Sequence, residues 1–153
     1  MDLDYAQSKN LTTYDVVKIA SMIDREVQVP DERELVSAVI YNRLEDGTPL
    51  GIDATLRYAL DNYDKPLTES DLQSDTSYNT RLVAGLPPTP IGNTGLASLQ
   101  AAADPAKVDY LYYVVKPCGG GSHVFTASAS EFEQAAADYQ QALKEQGGSP
   151  TDC

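Results

Sequence analysis

Tryptophan is absent from this 153-residue chain, phenylalanine occurs twice and histidine once, as His123. A single imidazole leaves too little material for a polyhistidine metal site or a histidine-based catalytic triad. Two ligands five residues apart, Cys118 and His123, are also too few for zinc. Cys118 and Cys153 are the only cysteines. If they pair in an oxidising compartment, they close a loop of about 35 residues worth roughly 3–4 kcal/mol; two unrelated thiols fit the sequence equally well. Positive charge is scarce too, with 11 Lys and Arg against 23 Asp and Glu for a net charge of −12. Nucleic acids and anionic membrane surfaces are held by clustered Lys and Arg, so neither is an expected partner. No apolar run approaches the length of a bilayer span, and no signal peptide opens the chain. "MDLDYAQSKN", residues 1–10, reads as a linker or an added start ahead of the domain proper.

What remains is ordinary for a soluble globular domain: 42% hydrophobic and 22% charged residues. A chain of this size buries roughly 70% of its unfolded surface, enough for one real core. "LTTYDVVKIASMIDREV" reads as a helix opened by Thr12 or Thr13, with Val16, Ile19, Ala20, Ile23 and Val27 forming an apolar stripe. "PDERELVSAVIYNRLEDG" reads as a second helix, with Asp31 and Glu34 at capping-box spacing and Gly47 as a stop. "DATLRYALDN" reads as a shorter helix capped by Asp53, and "TESDLQS" as a single turn. The segment 74–95, rich in Pro, Gly and short polar residues, is irregular, and Leu82, Val83, Leu86 and Ile91 are expected to pin it down. "GLASLQAAADP" is a further helix. "DYLYYVV" and "HVFTA" are strands joined through "KPCGGGS" in a hairpin, and "SEFEQAAADYQQALKEQ" is a last amphipathic helix. The expected fold is α+β: a mainly helical single domain, residues 11–146, with a small antiparallel β-hairpin, followed by a tail at 147–153.

Three consecutive charges end the first long helix. At about 100° per residue, Arg25 points away from the apolar stripe, whereas Glu26 and Asp24 fall on its two shoulders. A shoulder position can be an innocent boundary, since long side chains snorkel. Partial burial is also what raises a carboxyl pKa towards neutrality and lets it donate a proton, so Glu26 is a candidate general acid. A Cys118 thiolate with His123 as base competes poorly, because the two flank three glycines with no orienting partner evident. His123, expected on an exposed strand end, reads as structural or as a substrate hydrogen-bonder. Ten tyrosines supply aromatic faces with polar rims, suited to sugars but equally to a wet-edged core.

The order of motifs adds more than any one of them. "ASMIDRE", "YNRL", "DAT", "YNT", "GLPPTPI", "GLASLQAAADPAK", "DYLYYVV" and "GGGSHVF" follow one another at spacings that closely resemble the MltG/YceG-like family of endolytic murein transglycosylases, over residues 11 to about 145. The resemblance maps the family's catalytic glutamate onto Glu26. It departs at Asp24, where the family usually carries glutamate, and at Gly51, where it usually carries glutamine that contacts the substrate side.

That resemblance implies an extracytoplasmic enzyme without cofactor or metal, acting on peptidoglycan glycan strands. It would cleave the bond between N-acetylmuramic acid and N-acetylglucosamine without water, leaving 1,6-anhydro ends. Asp53, Thr55, Tyr78, Asn79, Thr80, Gly85, Leu86, Pro87 and His123 would bind the glycan, with the "GLPP" turn also bracing its loop. In the family this domain follows a membrane anchor and a LysM-like segment, beside the enzymes of cell-wall synthesis, so the chain is expected to be a fragment of a bacterial membrane-anchored protein. Two alternatives stand beside this reading. One is a hydrolytic muramidase using Asp24 or Asp53 as second carboxylate; the other is a glycan-binding module without catalysis.

Overall fold

The Thr12 hydroxyl accepts the backbone N–H of Asp15 at 3.1 Å while the Asp15 carboxylate accepts that of Thr12 at 2.9 Å, a reciprocal cap that starts helix α2, Thr13–Glu26. In the computed structural model, which describes residues 1–147, this helix is the centre of the molecule. Val16, Ile19, Ala20, Ser21, Met22 and Ile23 are all buried. The buried surface is wider than one stripe because α2 packs against three helices: α6 (Leu96–Ala103), α3 (Arg33–Asp46) and α4 (Asp53–Leu60). The chain is α+β and mainly helical, with a two-stranded antiparallel sheet among the described residues.

Residues 1–10 are not a linker. They carry a short helix, α1 (Asp4–Ser8), whose Ala6 is buried in the core and which packs on α6. The Tyr5 ring meets Tyr41 edge-on at 5.1 Å. Nothing in the periodicity marks so short an element, since one buried alanine makes no stripe.

Helix α3 ends as expected at Gly47, whose left-handed φ of 73° lets residues 47 and 48 donate back to the Leu44 and Arg43 carbonyls. Its start differs. Asp31 and Glu34 form no capping box; Pro30–Glu32 make a single 3₁₀ turn, and Glu32 takes the cap position without using its side chain there. The Glu32 carboxylate is turned to a distant strand instead. Asp53 is likewise not a cap. Ile52 holds that position, and the Asp53 carboxylate receives a two-pronged hydrogen bond from Arg81 Nε and Nη2 at 2.6 and 3.0 Å. In both cases the carboxylate is spent on a partner far along the chain, Arg81 for Asp53 and His123 for Glu32.

The single-turn helix α5 (Glu69–Leu72) leads into the irregular segment, which is pinned by polar groups and two apolar ones. Asn79 Nδ2 donates to the carbonyls of Leu72 and Ser74, both at 3.0 Å. Thr80 Oγ1 accepts from Ile52 N and donates to Ile52 O, each at 2.9 Å. Ile91 N donates to Ser21 Oγ on α2 at 3.0 Å, and Ile91 and Pro87 are buried. Leu82 and Val83, expected as anchors, are 53% and 46% exposed. A segment whose backbone groups have no ladder needs hydrogen-bonding anchors first.

The hairpin pairs β1 (Tyr112–Val115) with β2 (His123–Thr126), each shorter than the sequence pattern. Its register sets Tyr113 opposite Phe125 and Val115 opposite His123. The two-residue alternation puts these four side chains on one face, and Tyr113 and Phe125 pack against the helical core. On the other face Tyr112 stacks on Phe132 of α7 (Ala129–Gln146) at 5.0 Å. The strand is fixed from α3: Asn42 Nδ2 donates to the carbonyls of Val108 and Tyr110, and Arg43 Nε to that of Leu111 at 2.6 Å. The Cys118–Cys153 pairing falls on residues 148–153 and so lies outside the described residues.

Two glycines of the hairpin turn, Gly119 and Gly121, are there for room. Gly121 has φ 93°, and a Cβ on it would lie 2.3 Å from Gln28 Oε1 and 2.9 Å from Gln28 Cβ. Gly121→Ala is therefore expected to destabilise the protein by at least about 1–2 kcal/mol, measured as a lower midpoint in urea unfolding, whereas Gly120→Ala at φ 63° with open space around it should cost less.

Candidate active site

Glu26 is the last residue of α2, and the chain turns to extended backbone at Val27. The hairpin closes over this end. Tyr113 Oη donates to Glu26 Oε1 at 3.0 Å, and the carboxyl is partly buried. Removal from water, offset in part by the Tyr113 hydrogen bond and reinforced by the nearby negative charge of Asp53, pushes the Glu26 pKa up to about 7. Tyr113 itself is held well above the ordinary tyrosine value by its own burial and by Glu26, so it stays a neutral donor.

Behind Tyr113 stands His123, its ring edge-on at 5.3 Å. His123 is 8% exposed rather than on an open strand end. Glu32 grips it twice: Oε2 accepts from the backbone N–H and Oε1 meets Nδ1, both at 2.8 Å. The Glu32–His123 clasp thus ties β2 to the turn that follows α2, and no sequence signal pointed to Glu32.

The other two charges of the "DRE" triplet face elsewhere. Asp24 accepts from Gly95 N at 3.0 Å and from Ser98 Oγ, so it sits at the N-terminus of α6 and satisfies a free donor there. Arg25 is exposed, with its guanidinium 5.2 Å from the centre of the Tyr63 ring. Arg25 is solvated, as its phase away from the apolar stripe predicts.

Asp53 is felt at Glu26 through its negative charge. It lines, with Arg81, Tyr63, Lys65, Tyr139 and Leu143, a groove of about 720 Å³ between α4, the segment after it and α7. Of the remaining residues expected to bind a ligand, several have buried side chains. Thr55, Asn79 and Thr80 are 0%, 0% and 2% exposed. Their side chains are consumed internally, with Thr55 Oγ1 donating to the Tyr78 carbonyl at 2.6 Å and lying 3.1 Å from Thr80 Oγ1. Pro87 is fully buried as well. Tyr78 is half-buried, its hydroxyl 2.8 Å from Thr89 Oγ1 and its ring against Tyr58. Gly85 bends the chain at φ 99°. Leu86 faces a separate cavity of about 560 Å³ beside Asp15 and Leu11, at the opposite end of α2 from Glu26. Thr55, Asn79 and Thr80 thus brace the irregular segment from within. Cys118 lies on an exposed turn with φ 59°. Among the described residues no three His, Cys, Asp or Glu side chains gather as metal ligands, and no helix is long and apolar enough to cross a membrane.

Fold and site together define a mainly helical domain in which a hairpin covers one carboxyl at the end of the central helix. The chain belongs to the YceG-like family, which matches residues 2–138. It is 35% identical over 133 residues to an endolytic murein transglycosylase of Bacillus subtilis (strain 168), covering 87% of this chain and 36% of that protein. An endolytic murein transglycosylase of Streptococcus pneumoniae (strain D39) is 30% identical over 113 residues, covering 71% of this chain and 20% of that one. The chain thus spans about a third or less of these relatives' length. The crystal structure of a YceG-like protein from Listeria monocytogenes superposes with a TM-score of 0.78 at 33% identity, over 86% of this chain and 42% of the other.

A raised carboxyl pKa also has a thermodynamic signature. Between pH 4.5 and about 7 the folded protein holds the Glu26 proton more tightly than the unfolded chain does. This contribution is therefore complete below pH 4.5 and lost as pH rises through 7. Glu26→Gln, neutral at every pH, should be more stable than wild type at pH 8 by about 1–3 kcal/mol in unfolding free energy, seen as a higher melting temperature. At pH 4 the two should melt alike.

Proposed function

We propose that this chain is the catalytic domain of a lytic transglycosylase acting on the glycan strands of peptidoglycan. The observation that carries the reading is a single carboxyl with a pKa of about 7, at the closed end of α2 and within the field of a groove-lining aspartate. The names of the relatives at 35% and 30% identity support that substrate class.

One such carboxyl is enough for cleavage without water. Protonated Glu26 gives its proton to the glycosidic oxygen as the bond to the anomeric carbon of N-acetylmuramic acid breaks. The C6 hydroxyl of the same sugar then bonds to that carbon, and its proton passes to the Glu26 carboxylate, restoring the acid. The products are an N-acetylglucosamine hydroxyl end and a 1,6-anhydro end. A group with a pKa near the working pH serves both halves, and general acid–base help of this kind is worth roughly 10²–10⁴ in rate. Hydrolysis by a second carboxylate finds less support. Asp24 is engaged at the N-terminus of α6 and Asp53 by Arg81, so neither is free to activate water or attack the sugar.

The groove between α4 and α7 is the place proposed for the strand, with Tyr63 and Tyr139 as stacking faces and Asp53 and Arg81 at its polar wall. Action at the outer face of a bacterial membrane, through an anchor elsewhere in the whole protein and beside cell-wall synthesis enzymes, belongs to the same proposal.

Glu26→Gln is expected to lower release of fragments from purified glycan strands by two to four orders of magnitude. Wild-type products should carry ends lighter by one water than reducing ends in mass spectrometry, and activity should decline as pH rises through about 7. Reducing ends throughout would indicate a hydrolase. Equal release by the two proteins would remove Glu26 from the chemistry.

A further inference from the structure

The geometry points to Tyr113 as a positioning residue that decides which oxygen of Glu26 carries the working proton. This inference rests on the function proposed above and extends it to a residue outside the motif that holds the glutamate.

The Tyr113 hydroxyl donates to Oε1. In a neutral carboxyl group, the oxygen that accepts a hydrogen bond is the carbonyl oxygen, because a hydroxyl oxygen is the poorer acceptor. A donor fixed at Oε1 therefore places the acid proton on Oε2. After that proton has gone to the leaving oxygen, Tyr113 still occupies Oε1, and Oε2 presents its lone pairs to the C6 hydroxyl. One phenol that never gives up its own proton thus keeps the same oxygen in play for both transfers. It also favours the anion over the acid by a charge-assisted hydrogen bond, moderating what burial does.

For this the phenol must not wander. Its ring is held edge-on by His123 at 5.3 Å and lies against Phe125 at 5.7 Å. His123 is itself fixed twice by Glu32. The strand that carries Tyr113 is tied to α3 by Asn42 and Arg43. This gives the buried Glu32–His123 clasp a purpose: it is the back-stop of the phenol. Other charged or titratable groups acting on the pair are Asp53 from α4, which disfavours the anion at Glu26, and Arg43 from α3, which eases the ionisation of Tyr113.

The test is the pH profile of kcat/KM on purified glycan strands for wild type, Tyr113→Phe and Glu26→Gln, with a ¹³C NMR titration of the Glu26 carboxyl. Tyr113→Phe keeps the ring and removes the donor. Its alkaline limb and its NMR midpoint should both rise by about one to two pH units, the size of a lost hydrogen bond to a charged group. Its kcat should fall about tenfold or more near pH 6, with KM little changed. Tyr113→3-fluorotyrosine keeps the ring and the hydroxyl but donates more strongly, so it should shift both midpoints downward and covers the case of an unfolded Phe variant. Unmoved midpoints in the folded Phe variant, or an unmoved or upward shift in the fluorinated one, overturn the positioning role alone. Undiminished cleavage by Glu26→Gln overturns the proposed function, and this inference with it.

Discussion

A carboxyl at the C-terminal end of a helix meets the negative end of the helix dipole, and covering it with a hairpin takes away the water that would stabilise its anion. Both effects favour the proton. The structure accepts that cost at Glu26, and much of the rest of the molecule serves to keep the hairpin where it imposes it. β1 is tied to α3 by Asn42 and Arg43, β2 is tied to the turn after α2 by Glu32, and α7 lies across the outer face through the Tyr112–Phe132 stack. If the hairpin lifts away, Glu26 is rehydrated and returns to being an ordinary surface acid.

Seen this way, the short motifs divide their labour. "YNRL" is a clamp: Tyr41 Oη donates to the Ala102 carbonyl at 2.6 Å, and its two neighbours hold the approach to β1. "DAT" and "YNT" stitch to each other, because Thr55, Thr80 and the Tyr78 carbonyl share one buried hydrogen-bond cluster, with Asp53 and Arg81 closing it from outside. Such a cluster is stabilising only while every member is satisfied, which is a reason for the residue types to occur together. Asp24 adds a further tie, joining the end of α2 to the start of α6. Of the residues expected to meet a sugar, Thr55, Asn79 and Thr80 are buried and brace the loop.

The local signals in the chain were good guides where the competing partners are also local. Thr12 with Asp15 starts α2, Gly47 ends α3, and the run of Pro, Gly and short polar residues leaves 74–95 irregular. They misled wherever a residue had a stronger partner far along the chain. Asp53 left a cap for Arg81, Asp31 and Glu34 formed no capping box, and Leu82 and Val83 gave up anchoring to Asn79 and Thr80. α1 went unseen because its stability comes from contacts of Tyr5 and Ala6 with distant residues rather than from its own five positions.

From the sequence alone one could read the helices, their phase, and the placement of Glu26 on the shoulder of an apolar stripe. Helical phase follows from a fixed turn per residue and needs no knowledge of neighbours. The fate of that shoulder was decided by tertiary structure: whether it faces water or a phenol depends on a strand nearly ninety positions away in the chain, 87 residues at the Tyr113 contact. A pKa is a property of such surroundings, since desolvation and hydrogen bonding come from whatever packs against the group, and packing is not periodic.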